Sequence, residues 1–100
     1  MISAEHRNDI KNLILEKVQK AKFVCGADEH EADIKYKIER ENYLEFIFVM
    51  PAELSKGKNC TEVYLLQTDG KVCFKRNVNI GRGEYDLNYV YKISLENLEG

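Results

Sequence analysis

The chain has 100 residues, of which 44% are hydrophobic and 32% charged, and its formal net charge is −2. This length corresponds to one domain, and the composition is that of a globular protein rather than a disordered one. The slightly acidic charge argues against a chain built to coat nucleic acid, and no apolar run approaches the roughly 18 residues that a membrane span requires. We therefore expect a single domain over residues 1–100.

An amphipathic helix is predicted from about Ser3 to Lys22. Its apolar stripe consists of residues at helical spacing: Ile10, Leu13, Ile14, Val18 and Ala21. Ser3 is a suitable N-terminal cap, and Gly26 lies where a helix commonly ends. Residues 23–25 fit either a last helical turn or a short strand. The acidic residues 27–33 are expected to form a loop.

A first hairpin is predicted because the residues at 34–39, and those from Tyr43 or Leu44 to Met50, change to a period of two, with a proline after the second run. A three-residue loop gives these pairs: Ile38 with Phe46, Tyr36 with Phe48, and Ile34 with Met50. A two-residue loop would instead place Ile38 opposite Glu45. We prefer the three-residue loop because it gathers the apolar side chains on one face.

A second hairpin is predicted around Asp69-Gly70, the strongest turn signal in the chain. It pairs Leu65 with Phe74 and Leu66 with Cys73. A last strand is expected from Tyr85 to about Ile93, followed by one helical turn over residues 95–98. The element order predicts an α+β domain, with the N-terminal helix on one face of a four- to five-stranded antiparallel sheet arranged as a meander.

In this register the sheet is apolar on both faces. The side chains opposite the core face are Ile47, Val49, Tyr64, Leu66, Cys73 and Val90. A contiguous exposed apolar patch often marks an interface, so we predict a non-catalytic protein-interaction module that binds another protein or a second copy as a homodimer. Small adaptors, inhibitors and immunity-type proteins fit this description. Two structural alternatives are that the C-terminal segment or the loop at residues 51–59 covers this face, and that the register is displaced by one residue.

Two other functions are consistent with the sequence. A small ligand could bind between helix and sheet, in a pocket lined by Tyr36, Phe46, Phe48, Phe74 and Tyr89. Weak nucleic-acid binding could use the basic residues Lys71, Lys75, Arg76 and Arg82. The acidic residues of the last segment oppose that charge, so we do not expect nucleic acid as the main partner, and we expect no membrane partner.

No catalytic set and no cofactor site is predicted. Four residues have side chains suited to zinc, Cys25, His30, Cys60 and Cys73, but their spacing lacks the close pairs of a zinc site. Cys25 and His30 could meet as a nucleophilic pair, yet the neighbouring carboxylates would raise the pKa of the thiol. The glycines around Arg82 precede a strand, so they lack the helix dipole of a phosphate site.

The three cysteines bear on the expected location of the protein. An odd number at wide spacing is not a disulfide framework, so we expect free thiols that pack as small hydrophobes. The N-terminus has no signal-peptide pattern. We therefore expect a reducing, cytoplasmic location, in the protein's own cell or in a host cell.

Overall fold

The computed structural model describes residues 4–95. Its elements in chain order are α1 (Ala4–Lys17), β1 (Lys20–Cys25), β2 (Asp28–Asp33), β3 (Tyr36–Glu39), β4 (Tyr43–Met50), α2 (Ala52–Ser55), β5 (Asn59–Leu66), β6 (Val72–Gly81) and β7 (Leu87–Ser94). All strand pairs are antiparallel, which confirms the predicted α+β class. The strands divide between two sheets rather than forming one meander: a four-stranded sheet, β2-β1-β5-β6, and a three-stranded sheet, β3-β4-β7. The helical turn expected after Leu95 lies outside the described residues.

The inner faces of the two sheets enclose one hydrophobic core. β4 alternates strictly, so that the side chains of Leu44, Phe46, Phe48 and Met50 are fully buried. The ring of Phe48 stacks with the ring of Phe23 from β1, with 6.4 Å between their centroids. These rings belong to different sheets, so the sheets pack face to face. Burial of each phenylalanine contributes about 1.5–3 kcal/mol.

The helix is shorter than the sequence pattern predicts, because α1 ends at Lys17 and β1 begins at Lys20. In β1, Ala21, Phe23 and Cys25 are fully buried, and the residues between them are half-buried. This alternation has the period of a strand. Val18 and Ala21 also fit helical spacing, which is why the apolar stripe extended the predicted helix too far.

The predicted acidic loop is instead an edge strand, β2, which pairs with β1. Gly26 begins the turn before it with φ +63°, a conformation that favours glycine. The outward carboxylates of Glu31 and Glu29 lie 3.8 and 3.6 Å from the ammonium groups of Lys20 and Lys22. These exposed charges suit an edge strand, since they discourage pairing with another chain.

The first hairpin has the register that the sequence analysis set aside. Ile38 lies opposite Glu45, so the preferred pairing of Ile38 with Phe46 is wrong. The backbone N–H of Arg40 donates to the carbonyl of Tyr43 over 2.9 Å, which closes a two-residue loop. The side chains of Tyr36 and Ile38, which were expected to face the core, therefore lie on the outer face of the sheet.

Lys37 and Glu39, the polar residues of β3 on its inner side, find partners in α1, which explains why this register is stable. Lys37 donates from Nζ to the carbonyl oxygen of Leu15 over 2.6 Å. Lys11 as a residue is only 5% exposed, and its ammonium group lies 3.8 Å from the carboxylate of Glu39. The helix thus supplies partners that a hydrophobic core would not.

The second hairpin agrees with the prediction in part. Leu65 lies opposite Phe74 as expected, but a register shift places Leu66 opposite Val72 rather than Cys73. The predicted two-residue turn is wrong: the backbone N–H of Gln67 donates to the carbonyl of Lys71 over 2.8 Å, which closes a three-residue loop, and Gly70 in this loop has φ +88°. The last strand begins at Leu87, and Tyr85 lies before it with 84% of its surface exposed.

A disulfide joins Cys25 to Cys60, with 2.05 Å between the sulfur atoms. The two residues are 35 positions apart in sequence but face each other across β1 and β5. The expectation of three free thiols is therefore wrong for this pair, while Cys73 is free and half-buried. Sequence spacing could not reveal the bond, because it depends on the pairing of two strands from distant parts of the chain.

We predict that denatured, unreduced protein reacts with a thiol reagent at Cys73 alone, and at all three cysteines after reduction. Replacing Cys25 and Cys60 together by alanine should lower the free energy of unfolding by about 2–4 kcal/mol, because the cross-link no longer restricts the unfolded chain. Urea denaturation measures this change. Three reactive thiols before reduction would contradict the disulfide.

Candidate interaction surface

The outer face of the three-stranded sheet carries an apolar row that crosses all of its strands. Tyr36 of β3 lies opposite Ile47 of β4, and Ile47 lies opposite Val90 of β7. Tyr36 is 56% exposed and Val90 is 42% exposed, while Ile47 between them is half-buried. We call Tyr36, Ile47 and Val90 the apolar row. Its residues point outward because their neighbours along β4 and β7 point into the core.

Three of the six predicted interface residues lie on this face: Ile47, Val90 and Val49. Val49 is half-buried on β4 opposite Asn88, two positions from the apolar row. Tyr36 also belongs to this face, and the sequence analysis missed it because the preferred hairpin register turned it inward. The rejected two-residue loop was the signal that would have found it.

The other three predicted interface residues belong to the four-stranded sheet and do not share a surface with the apolar row. Leu66 is only 3% exposed, so its placement on an exposed face is wrong. Cys73 is half-buried beside α1, where it lines a groove together with Leu13. Tyr64 lies on the outer face of the four-stranded sheet, among charged side chains. The predicted single face is therefore divided between two sheets.

The outer face of the four-stranded sheet is polar around Tyr64. The ammonium groups of Lys22 and Lys75 lie 4.4 and 5.7 Å from the centre of its ring. The carboxylate of Glu62 accepts a hydrogen bond from the Tyr64 hydroxyl over 3.0 Å and lies 2.7 Å from the Lys75 ammonium group. These contacts lower the pKa of Glu62, through Lys75 first and Tyr64 second, and Glu62 raises the pKa of Lys75.

Charged side chains flank the apolar row on one side. Glu45 and Lys92 lie opposite each other on β4 and β7, two positions along the strands from Ile47 and Val90. The Lys92 ammonium group lies 4.0 Å from the centre of the Tyr43 ring. The Arg40 guanidinium lies 3.4 Å from the Glu45 carboxylate. The face therefore combines an apolar row with Glu45, Lys92 and Arg40 on this side, while the Lys35 ammonium group lies 5.7 Å from the centre of the Tyr36 ring.

The five residues predicted to line a ligand pocket do not enclose a common cavity. Phe46 and Phe48 are fully buried, and the Phe48 ring contacts the half-buried ring of Tyr89 at 5.4 Å between centroids. Tyr36 lies on the opposite face of its sheet. Phe74 lines a groove of about 200 Å³ beside α1. The aromatic rings are thus divided between the core, a groove and the surface.

A wider groove of about 420 Å³ lies between β2 and the end of β4. It is lined by the apolar residues Ala32, Val49 and Leu54 and by the acidic residues Glu31 and Asp33. The sequence analysis missed this groove because it depends on how close the two sheets lie to each other. It adjoins the outer face through Val49.

The basic residues of the second hairpin make contacts within the chain. The Lys71 ammonium group lies 3.8 Å from the carboxylate of Asp69, and Lys75 pairs with Glu62. The Arg76 guanidinium lies 4.2 Å from the centre of the Tyr91 ring and donates a hydrogen bond to the carbonyl of Lys92. These contacts give no support to a basic surface for nucleic acid.

Arg82 connects three segments of the chain. Its guanidinium donates hydrogen bonds to the Ser55 hydroxyl over 3.1 Å, to the Met50 carbonyl over 3.0 Å and to the Tyr85 carbonyl over 2.7 Å. The planar guanidinium can donate to several acceptors at once. Arg82 thus holds the loop before β7 against α2 and the end of β4, and this role accounts for the arginine between two glycines.

The residues considered for catalysis or zinc binding do not come together as a site, and several of them make other contacts. Cys25 and Cys60 are bonded to each other, so neither is a thiolate ligand or nucleophile. The His30 ring packs against Phe23, with 5.4 Å between centroids. Burial raises the pKa of the Cys73 thiol, which opposes thiolate formation. Residues 4–95 contain no group of His, Cys, Asp or Glu side chains arranged to hold a metal ion.

Comparisons of the chain with protein-family models, curated proteins and solved structures gave no match. Within residues 4–95, no helix has the length and apolar character needed to cross a bilayer.

We predict that Arg82→Ala lowers the free energy of unfolding by about 1.5–3 kcal/mol, because backbone carbonyls lose a charged donor. Lys71→Ala, at a side chain that is 76% exposed, should change it by less than about 0.5 kcal/mol. Chemical denaturation of both variants measures the difference. Equal effects would contradict the role of Arg82 in joining the three segments.

The lowered pKa of Glu62 predicts a dependence of stability on pH. Its interactions stabilise the fold above the pKa of an unperturbed glutamate, about 4.3, and this contribution is lost as the pH falls through the lowered value. The stability difference between the wild type and Glu62→Gln should therefore shrink below about pH 4. Tyr64→Phe should reduce the effect in part. Denaturation curves from pH 7 to 3 test this, and a constant difference would contradict it.

Proposed function

We propose that this protein is a non-catalytic protein-interaction module that acts as a homodimer through the outer face of the three-stranded sheet. The observation that carries the proposal is the apolar row, whose side chains are adjacent and in register across three strands. Isolated exposed apolar residues are common on monomers, whereas a contiguous group is typical of an interface. A tyrosine at the end of the row suits such a surface, because aromatic residues are enriched at interfaces.

The contrast between the two outer faces supports this assignment. An antiparallel sheet that packs one face on a core usually presents polar residues on the other. The four-stranded sheet follows this rule, with Lys22, Glu62 and Lys75 around Tyr64. The three-stranded sheet departs from it on its central strand β4 and on the neighbouring edge strand β7, where Ile47 and Val90 face outward. Burial of this row against a second apolar surface would remove these side chains from water.

The state of the cysteines supports a non-catalytic role. Two of them form a fully buried disulfide, and burial opposes ionisation of the third. The disulfide also bears on location. The cytoplasmic location stays a prediction, and the disulfide argues against it, because such bonds persist mainly in oxidising compartments.

We predict that Val90→Lys abolishes self-association, because it places a charge in the centre of the buried surface. The matched control is Val72→Lys on β6, since Val72 is 52% exposed and Val90 is 42% exposed. Sedimentation equilibrium over a range of protein concentrations measures the mass. Both variants should fold, because exposed substitutions change stability little.

A wild-type protein that is monomeric at every concentration would overturn the proposal. Equal loss of association in the two variants would overturn it as well, because the apolar row would then have no special role. Loss of association in Val90→Lys alone supports it.

A further inference from the structure

We infer that the two copies are related by a two-fold axis that runs parallel to the strands, between β4 and β7, and that Glu45 and Lys92 fix this arrangement. The inference rests on the proposed function and adds the geometry of the contact. Its basis is the square that four residues form on the outer face: Ile47 lies opposite Val90, and Glu45 lies opposite Lys92.

The two-fold axis exchanges the two strands. Rotation about an axis between β4 and β7 places β4 of one copy over β7 of its partner. Ile47 of each copy then faces Val90 of the other, and Glu45 faces Lys92. Packed sheets lie about 10 Å apart, and neighbouring strands about 4.8 Å, so facing side chains meet in this arrangement.

The charges favour an axis between β4 and β7 over an axis that runs along β4 itself. An axis along β4 itself would place Glu45 over the same residue of the partner, and two facing carboxylates repel each other. The axis between the strands instead gives two attractive Glu45–Lys92 contacts for each dimer. The Arg40 guanidinium lies 3.4 Å from the Glu45 carboxylate of its own chain, and the Glu45–Lys92 contacts between the two copies remain attractive. Complementary charges at the border of an interface set its register and exclude wrong partners.

Tyr36 occupies the rim of this dimer. Because β3 lies beyond β4, the rotation carries Tyr36 of each copy past the Val90 of its partner. The apolar centre of Ile47 and Val90 is therefore bordered by a tyrosine at each end, whose hydroxyl can contact water. An apolar centre with a polar rim is the usual anatomy of an interface.

Two single charge reversals test the geometry. Glu45→Lys presents two cations to an identical copy, and Lys92→Glu presents two carboxylates, so each variant alone should dimerise about tenfold more weakly or worse. Mixed together, the two variants place opposite charges at both contacts. Native mass spectrometry, with one variant isotopically labelled, should then show the mixed dimer in excess over both homodimers.

The double variant Glu45→Lys/Lys92→Glu keeps opposite charges opposite each other within each chain, although it removes the contacts of Glu45 with Arg40 and of Lys92 with Tyr43, so its free energy of unfolding is measured beside its dimerisation. It should dimerise with itself as the wild type does, but it should not form mixed dimers with the wild type. The matched control is the same pair of reversals at Glu62 and Lys75, which pair at 2.7 Å on the other sheet. These reversals should leave dimerisation unchanged.

The outcomes separate the geometry from the proposed function. If Val90→Lys abolishes the dimer while the double variant mixes freely with the wild type, the two-fold arrangement is overturned and the interface stands. If the single variants dimerise as the wild type does, the arrangement is overturned as well. Recovery in the mixture together with exclusion of mixed dimers by the double variant supports the inference.

Discussion

The stacking of Phe23 on Phe48 holds the two sheets together. Because side chains alternate along β4, burial of Phe48 also determines which side chains of this strand point outward. Phe46 and Phe48 are fully buried, so Ile47 between them points outward because successive side chains of a strand alternate. A shift of one residue would bury Ile47 and expose both phenylalanines, at a large cost in apolar burial. Packing of the core therefore sets the outward orientation of the apolar row, on which the proposed interface depends.

The sequence predicts those parts of the fold whose apolar pattern is local. The strand predicted over 43–50 matches β4, and the pairing of Leu65 with Phe74 is observed. β2 could not be found in this way, because an acidic edge strand has no apolar alternation. It is held by backbone pairing with β1, and the prediction assigned part of β1, including Lys20 and Lys22, to a helix. The division into two sheets depends on contacts between distant segments, which periodicity does not report.

On the candidate surface, too, the sequence predicts those residues whose orientation depends only on their own strand. Ile47, Val49 and Val90 point outward as expected, because their orientation follows from their own strands. The orientation of Tyr36 depended on the length of the loop between β3 and β4, and that of Leu66 on a register shift between β5 and β6. The basic residues illustrate another limit of composition: Arg76 and Arg82 raise the local charge, but their guanidinium groups bind backbone carbonyls. Charge counted along a chain does not show which cations are available to a partner.

The disulfide has a consequence for the integrity of the chain. The bond between Cys25 and Cys60 encloses the segment that contains β2, β3, β4 and α2. The loop between β3 and β4 is exposed and carries Arg40 beside Glu41, a peptide bond of the kind that a trypsin-like protease cleaves once the hairpin opens. Cleavage there would give two fragments, each with one cysteine of the bond, so the protein would persist as a two-chain molecule until a reductant separated them.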